Sequence, residues 1–106
     1  MNINEYLRKY KNIENLSGYE YRTHTPQVVC KDGFSMSVQA SKSHYCSPRI
    51  NDAEEYGSME IGFPSEKEDL IMEYAETPEE PTGTVYGWVP CEVIDAVIEK
   101  HGGFAD

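Results

Sequence analysis

Apolar residues recur along the chain with two different periods, and the switch between them predicts the elements. Ile3, Tyr6, Leu7, Tyr10 and Ile13 fall at helical spacing and make one apolar stripe, which predicts an N-terminal helix over 1–16. Asn2 suits its N-cap, with Glu5 three residues later as the return partner of a capping box. Gly18 is placed to end it, and 17–26 reads as a connection closed by Pro26. From residue 27 the period changes to two. Gln27–Cys30 is a short β-prone run, and Lys31-Asp32-Gly33 supplies a turn in which Gly33 takes positive φ. The returning strand, Phe34 to Ser41, alternates strictly: Phe34, Met36, Val38 and Ala40 share one face, and Ser35, Ser37, Gln39 and Ser41 share the other.

Residues 42–57 have no period and read as irregular. Ser58 to Phe63 alternates again, with Met59, Ile61 and Phe63 on one face, and Pro64 stops it. The segment 65–76 carries two signals. Ser65 with Glu68 spells a capping box, whereas Leu70, Met72 and Tyr74 alternate with Ile71, Glu73 and Ala75. The shortness of the apolar run favours a strand after a turn. A Pro-rich loop over 76–83 precedes a strand from Val85 to Val89. Pro90 then opens a helix over 90–101, with Val93, Ile94, Val97 and Ile98 as its buried stripe. Lys100 and His101 suit its negative end, and Gly102 suits the position just beyond. The expected fold is a single α+β domain over 1–106. A four- or five-stranded antiparallel meander spans 27–89, with one helix before it and one after.

Composition changes this picture mainly through charge. The chain has 106 residues and a formal net charge of -10, and the charge is lopsided. Residues 1–49 hold four acids and seven bases; residues 50–106 hold fifteen acids and only Lys67 and Lys100 as bases. That sign disfavours direct binding to nucleic acid or to an anionic membrane surface. It suits a partner with a basic surface, and equally a merely well-solvated domain. Cys30, Cys46 and Cys91 form neither a CxxC pair nor an even set, so reduced thiols are expected. The opening MNINEYLRKYK lacks the apolar run of a signal peptide, and no stretch has the length of a membrane span.

The segments KDGFSMSVQAS, HYCSPR, EIGFPS and VYGWVP followed by IEKHGG, across residues 27–103, together resemble a family of small proteins of tailed phages and prophages. The resemblance implies an accessory protein acting in the bacterial cytoplasm. It carries no reaction and no catalytic residues. By analogy with that class, it implies a non-catalytic inhibitor of a host protein, of the host-takeover or anti-defence type.

Four surfaces can carry a function. The row Ser35, Ser37, Gln39 and Ser41 offers uncharged hydrogen-bonding groups where a solvated strand usually carries Lys or Glu. If Val85 and Val89 face the core, Tyr86 and Trp88 join that row, and the face becomes a binding surface for a partner or a small polar ligand. A loop or second chain covering it is the plainer alternative. The segment His44-Tyr45-Cys46-Ser47-Pro48-Arg49 puts a thiol near an imidazole and a guanidinium, which would suit a nucleophilic Cys46 activated by His44. No third orienting group accompanies them, and Tyr45 and Cys46 serve equally as core plugs. The three cysteines with His24, His44 and His101 match no zinc spacing, so neither a metal nor another cofactor is expected. Finally, Glu54, Glu55, Glu66, Glu68, Asp69, Glu76, Glu79 and Glu80 fall in loops and turns. Exposed together, they would form an acidic patch able to occupy the basic surface of a nucleic-acid-binding host protein. The N-terminal helix has three roles open to it: core, homodimer contact or partner-facing element.

Overall fold

The computed structural model describes residues 1–16 and 19–105, and for residues 12–24 it describes the backbone only. Helix α1 spans Ile3–Tyr10. Its capping box forms as the sequence predicts: the Asn2 side chain accepts from the Glu5 N–H at 2.9 Å, and the Glu5 carboxylate accepts from the Asn2 N–H at 3.0 Å. Asn2→Ala is expected to cost about 1 kcal/mol of stability, read as a lowered urea midpoint at unchanged slope.

The helix is shorter than expected. It stops at Tyr10, and Lys11 is already extended at φ -69°, ψ 128°. Strand β1 (Asn12–Leu16) then pairs antiparallel with β2 (Tyr19–His24), with an irregularity between Glu14 and Asn15. Two local preferences favour this outcome. Asn12 and Asn15 are poor helix formers, and Tyr19, Tyr21 and Thr23 alternate with Glu20, Arg22 and His24 at strand period. Gly18, the expected helix end, lies outside the described residues.

The main sheet is an antiparallel meander in the order β3 (Val28–Val29), β4 (Ser35–Gln39), β5 (Ser58–Gly62) and β6 (Val85–Pro90). With helix α2 (Cys91–Lys100) after it, this is the α+β fold the periodicity predicts. Phe34, Met36, Val38 and Ala40 are buried, as the alternation requires, and Gly33 closes the hairpin at φ 96°. Ile3 and Leu7 of α1 join Ile94, Val97 and Ile98 of α2 in one core with the inner residues of the sheet. Each fully buried aliphatic side chain there contributes about 1.5–3 kcal/mol, so the two amphipathic stripes hold the helices on the sheet. The start of α1 is also joined to the middle of α2: the Asp95 carboxylate accepts from the Ile3 N–H at 2.8 Å.

Helix α2 ends in a Schellman turn. Gly102 (φ 94°) donates to Glu99 O at 3.0 Å and Gly103 (φ 90°) to Ile98 O at 2.8 Å, which satisfies carbonyls the helix leaves open. Beyond it, Phe104 bridges Cys30 and Ala105 donates to Val29 O at 2.8 Å. On the far side of the sheet, Ala75 bridges Tyr86 and Glu76 donates to Val85 O at 2.9 Å.

Three further expectations change. Phe63 does not join Met59 and Ile61 in the core. It leaves β5 at φ 49° and lies 58% exposed as the chain turns back. The 69–74 segment is a 3-10 helix, Asp69–Tyr74, and not a strand. Glu68 is its N-cap and accepts from the Leu70 N–H at 2.8 Å, which commits the backbone to a turn before any strand can start. Ile71 is buried and Leu70 exposed, so the local pattern follows the turn and not the alternation. Pro90 stands at the N-cap of α2, one residue before its expected place, and the Cys91 N–H finds Gly57 O at 3.0 Å. Among the described residues no helix is long and apolar enough to cross a membrane.

Candidate functional site

The most unusual local geometry lies in β6. Met59 faces Val89 and Ile61 faces Tyr86, so Gly87 and Trp88 together oppose the single residue Glu60. This is a β-bulge, and it resets the alternation of the strand. Tyr86 and Val89 are both fully buried although three positions apart, while Val85 is only half-buried. The expectation that Tyr86 shares an outer binding surface with Trp88 is thereby corrected. Tyr86 belongs to the core, and its hydroxyl donates to Pro81 O at 2.5 Å.

Trp88 remains outside, 52% exposed, with its backbone at φ 50°. A non-glycine residue in that region costs on the order of 1–3 kcal/mol. The irregular 42–57 segment holds it there. The Trp88 N–H donates to Tyr45 O at 3.0 Å, and the Tyr45 N–H donates to the Glu60 carboxylate at 3.1 Å. The two rings stack at 4.9 Å, and the Arg49 guanidinium lies 5.5 Å from the Tyr45 ring centre. Tyr45 packs directly against the Gly87 backbone: a Cβ there would stand in ordinary van der Waals contact with the Tyr45 Cβ at 3.4 Å. Next to the stack lies a groove of about 380 Å³ lined by Tyr45, Tyr74, Glu76, Val85, Gly87 and Trp88. Three residues of the predicted set, Tyr45, Arg49 and Trp88, are thus assembled from two distant segments.

The serine row is placed differently. Gln39 and Ser41 are buried. The Gln39 carboxamide accepts from Thr25 N–H at 2.9 Å, donates to Thr25 O at 2.8 Å and donates to Ser37 Oγ at 3.0 Å. It thus clasps the segment that leads into β3. Ser35 Oγ accepts from Gln27 at 3.3 Å, and Ser41 Oγ lies 2.6 Å from His44 Nδ1. These polar groups are engaged within the chain, and only Ser35 and Ser37 are half-exposed.

Cys46 is buried, and its thiol donates to Ser41 O at 3.2 Å. Burial pushes the thiol above its ordinary value and outweighs the lowering by the nearby charges of Lys11 and Arg49. A thiolate nucleophile needs the opposite shift. Cys30 and Cys91 are also buried and raised, Cys91 to about 11. Among the described residues no group of three or more His, Cys, Asp and Glu is placed to hold a metal ion. The side chain of His24 lies outside the described residues.

Of the predicted acidic patch, Glu54, Glu55, Glu66, Asp69, Glu76, Glu79 and Glu80 are exposed. Glu68 is not: it is 1% exposed, and this corrects its place in the patch. Its carboxylate meets His101 Nε2 at 2.7 Å, Lys100 Nζ at 3.0 Å and the Leu70 N–H at 2.8 Å. His101 Nδ1 in turn lies 2.6 Å from the Asp32 carboxylate, and its ring stacks on Phe34 at 4.1 Å. Both imidazole nitrogens face carboxylate oxygens, so the doubly protonated ring satisfies both. This cluster joins the β3–β4 turn, the 3-10 helix and the end of α2. Nothing in the sequence flags it, because Asp32, Glu68 and His101 share no spacing and meet only through the fold.

No family profile, no curated protein and no solved structure matches the chain.

Proposed function

We propose that this domain is a non-catalytic binding protein that holds and blocks a protein of a bacterial host, with Trp88, Tyr45 and Arg49 as its recognition surface. The observation that carries the reading is Trp88 itself: an exposed indole kept in a costly backbone conformation and propped by a stacked tyrosine. Strain of this kind persists where neighbouring structure enforces it and is concentrated at binding and switch sites. Trp, Tyr and Arg are the residues most enriched in the energetic centres of protein interfaces, and a pre-stacked pair gives up little entropy on binding. The phage or prophage setting, and with it the bacterial cytoplasm, rests on the motif resemblance. The exposed acids add a preference for a basic partner surface, such as that of a nucleic-acid-binding host protein. The buried, raised Cys46 thiol favours binding over catalysis, and the internally bonded Gln39 and Ser41 favour the aromatic surface over the serine row.

Trp88→Ala is expected to weaken the complex with the purified host partner by about 30-fold or more, corresponding to about 2 kcal/mol, with the circular dichroism of the fold retained. Equal affinity of the variant and the parent would refute the assignment. Raising salt is expected to slow association more than it speeds dissociation, since the acids steer and the aromatics hold.

A further inference from the structure

Resting on that reading, we infer that the groove beside Trp88 is a receptor for a single arginine side chain of the partner. Three features converge on this ligand. Tyr45, Tyr74 and Trp88 supply aromatic surface in one groove. Aromatic rings attract cations, and indole does so best. Glu76 supplies an exposed carboxylate in the same groove, and no ion pair engages it among the described residues. Acids dominate the sequence around it: Glu73, Glu79 and Glu80 are exposed, and no Lys or Arg occurs between positions 68 and 99, which leaves Arg49, set against Tyr45, as a base beside the groove.

The choice of guanidinium over ammonium follows from shape. A guanidinium is planar, stacks flat on aromatic rings and can offer two parallel N–H donors to one carboxylate. An ammonium is a compact, strongly hydrated point charge with neither property. The chain already shows the first half of this chemistry, with Arg49 set against the Tyr45 ring. The lining leaves room beside the rings: Gly87 contributes no side chain, and half-buried Val85 contributes a small apolar one.

Trp88 is the only tryptophan of the chain, so its fluorescence reports on the groove directly. The probes are three blocked tripeptides, Gly-Arg-Gly, Gly-Lys-Gly and Gly-citrulline-Gly, titrated into the intact protein. Citrulline keeps the shape of arginine and removes its charge. The arginine peptide is expected to give a saturable change with affinity on the order of millimolar, at least about fivefold tighter than the lysine peptide. The citrulline peptide should give none. Glu76→Gln is expected to weaken the arginine peptide about fivefold or more, while Glu66→Gln, a loss of the same charge elsewhere, should leave it unchanged. Equal titration by citrulline, equal titration by lysine, or indifference to Glu76→Gln would each overturn the inference. Such a failure is separable from that of the broader reading: if Trp88→Ala still weakens the host complex as expected, the surface stands and only its ligand is wrong.

Discussion

Replacing Glu68 by alanine is expected to cost about 3–5 kcal/mol, because it leaves a buried imidazolium and the Lys100 ammonium facing an empty site. The same change frees the Leu70 N–H and removes the cap of the 3-10 helix. Glu68→Gln keeps the volume but not the charge, and is expected to fall between the two. Urea denaturation followed by far-ultraviolet circular dichroism measures both. A loss below about 1 kcal/mol for Glu68→Ala would show that the cluster is not coupled to the core.

The cluster also dictates a pH dependence with a definite sign. Burial on its own would raise Glu68, but the Leu70 N–H, His101 and Lys100 together hold it below the usual carboxylate range. Asp32 is lowered by the Phe34 N–H and then by His101. Burial on its own would lower His101, but its bonds to Asp32 and Glu68 and their charges hold it above its ordinary value. The carboxylate contribution is therefore present above about pH 4 and lost as pH falls through their lowered folded values. The histidine contribution is complete below about pH 6.5 and lost as pH rises through its raised folded value. Stability attributable to the cluster should peak in the mildly acidic range between these limits. In His101→Gln the decline on the alkaline side should vanish. A parent protein whose urea midpoint is flat through neutral pH would contradict the ionised form of the ring.

The second large effect concerns Tyr86. It is fully buried, and alanine there should cost about 3–5 kcal/mol through lost apolar contact and the cavity left behind. Tyr86→Phe isolates the hydroxyl that reaches Pro81 O and should cost about 1 kcal/mol. If instead Tyr86 lay on the surface with Trp88, as strict alternation suggests, both changes would be nearly silent. The pair of substitutions therefore tests the bulge itself.

That bulge shows where the sequence stops being legible. The strands around Phe34–Ala40 and Met59–Ile61, the capping box at Asn2 and the glycine ends of α2 follow local rules, and those rules hold in the fold. Tyr86 and Val89 both facing inward required one extra residue in β6, which period-two counting cannot see. Tyr45 and Trp88 were each visible as candidate binding residues, but their stacking depends on a loop folding back over more than forty positions. Ile13 fits a helical stripe and so stretches the predicted N-terminal helix too far, while the competing strand pair gains its stability from partners downstream. Glu68 read as one acid among many, since burial of a charge is decided by the Lys100 and His101 brought to it from the other end of the chain.

The two segments that close the borders of the meander have a consequence for self-association. A bare border strand offers its unpaired N–H and C=O groups to any passing chain, and strand-by-strand growth into fibres begins there. Here 103–105 occupies one side at Val29 and Cys30, and Ala75–Glu76 occupies the other at Val85 and Tyr86. Neither guard is itself a full strand, so neither presents a long new template. Protection of the meander's borders therefore does not depend on mutual repulsion between acidic copies. It should survive at salt concentrations that silence that repulsion.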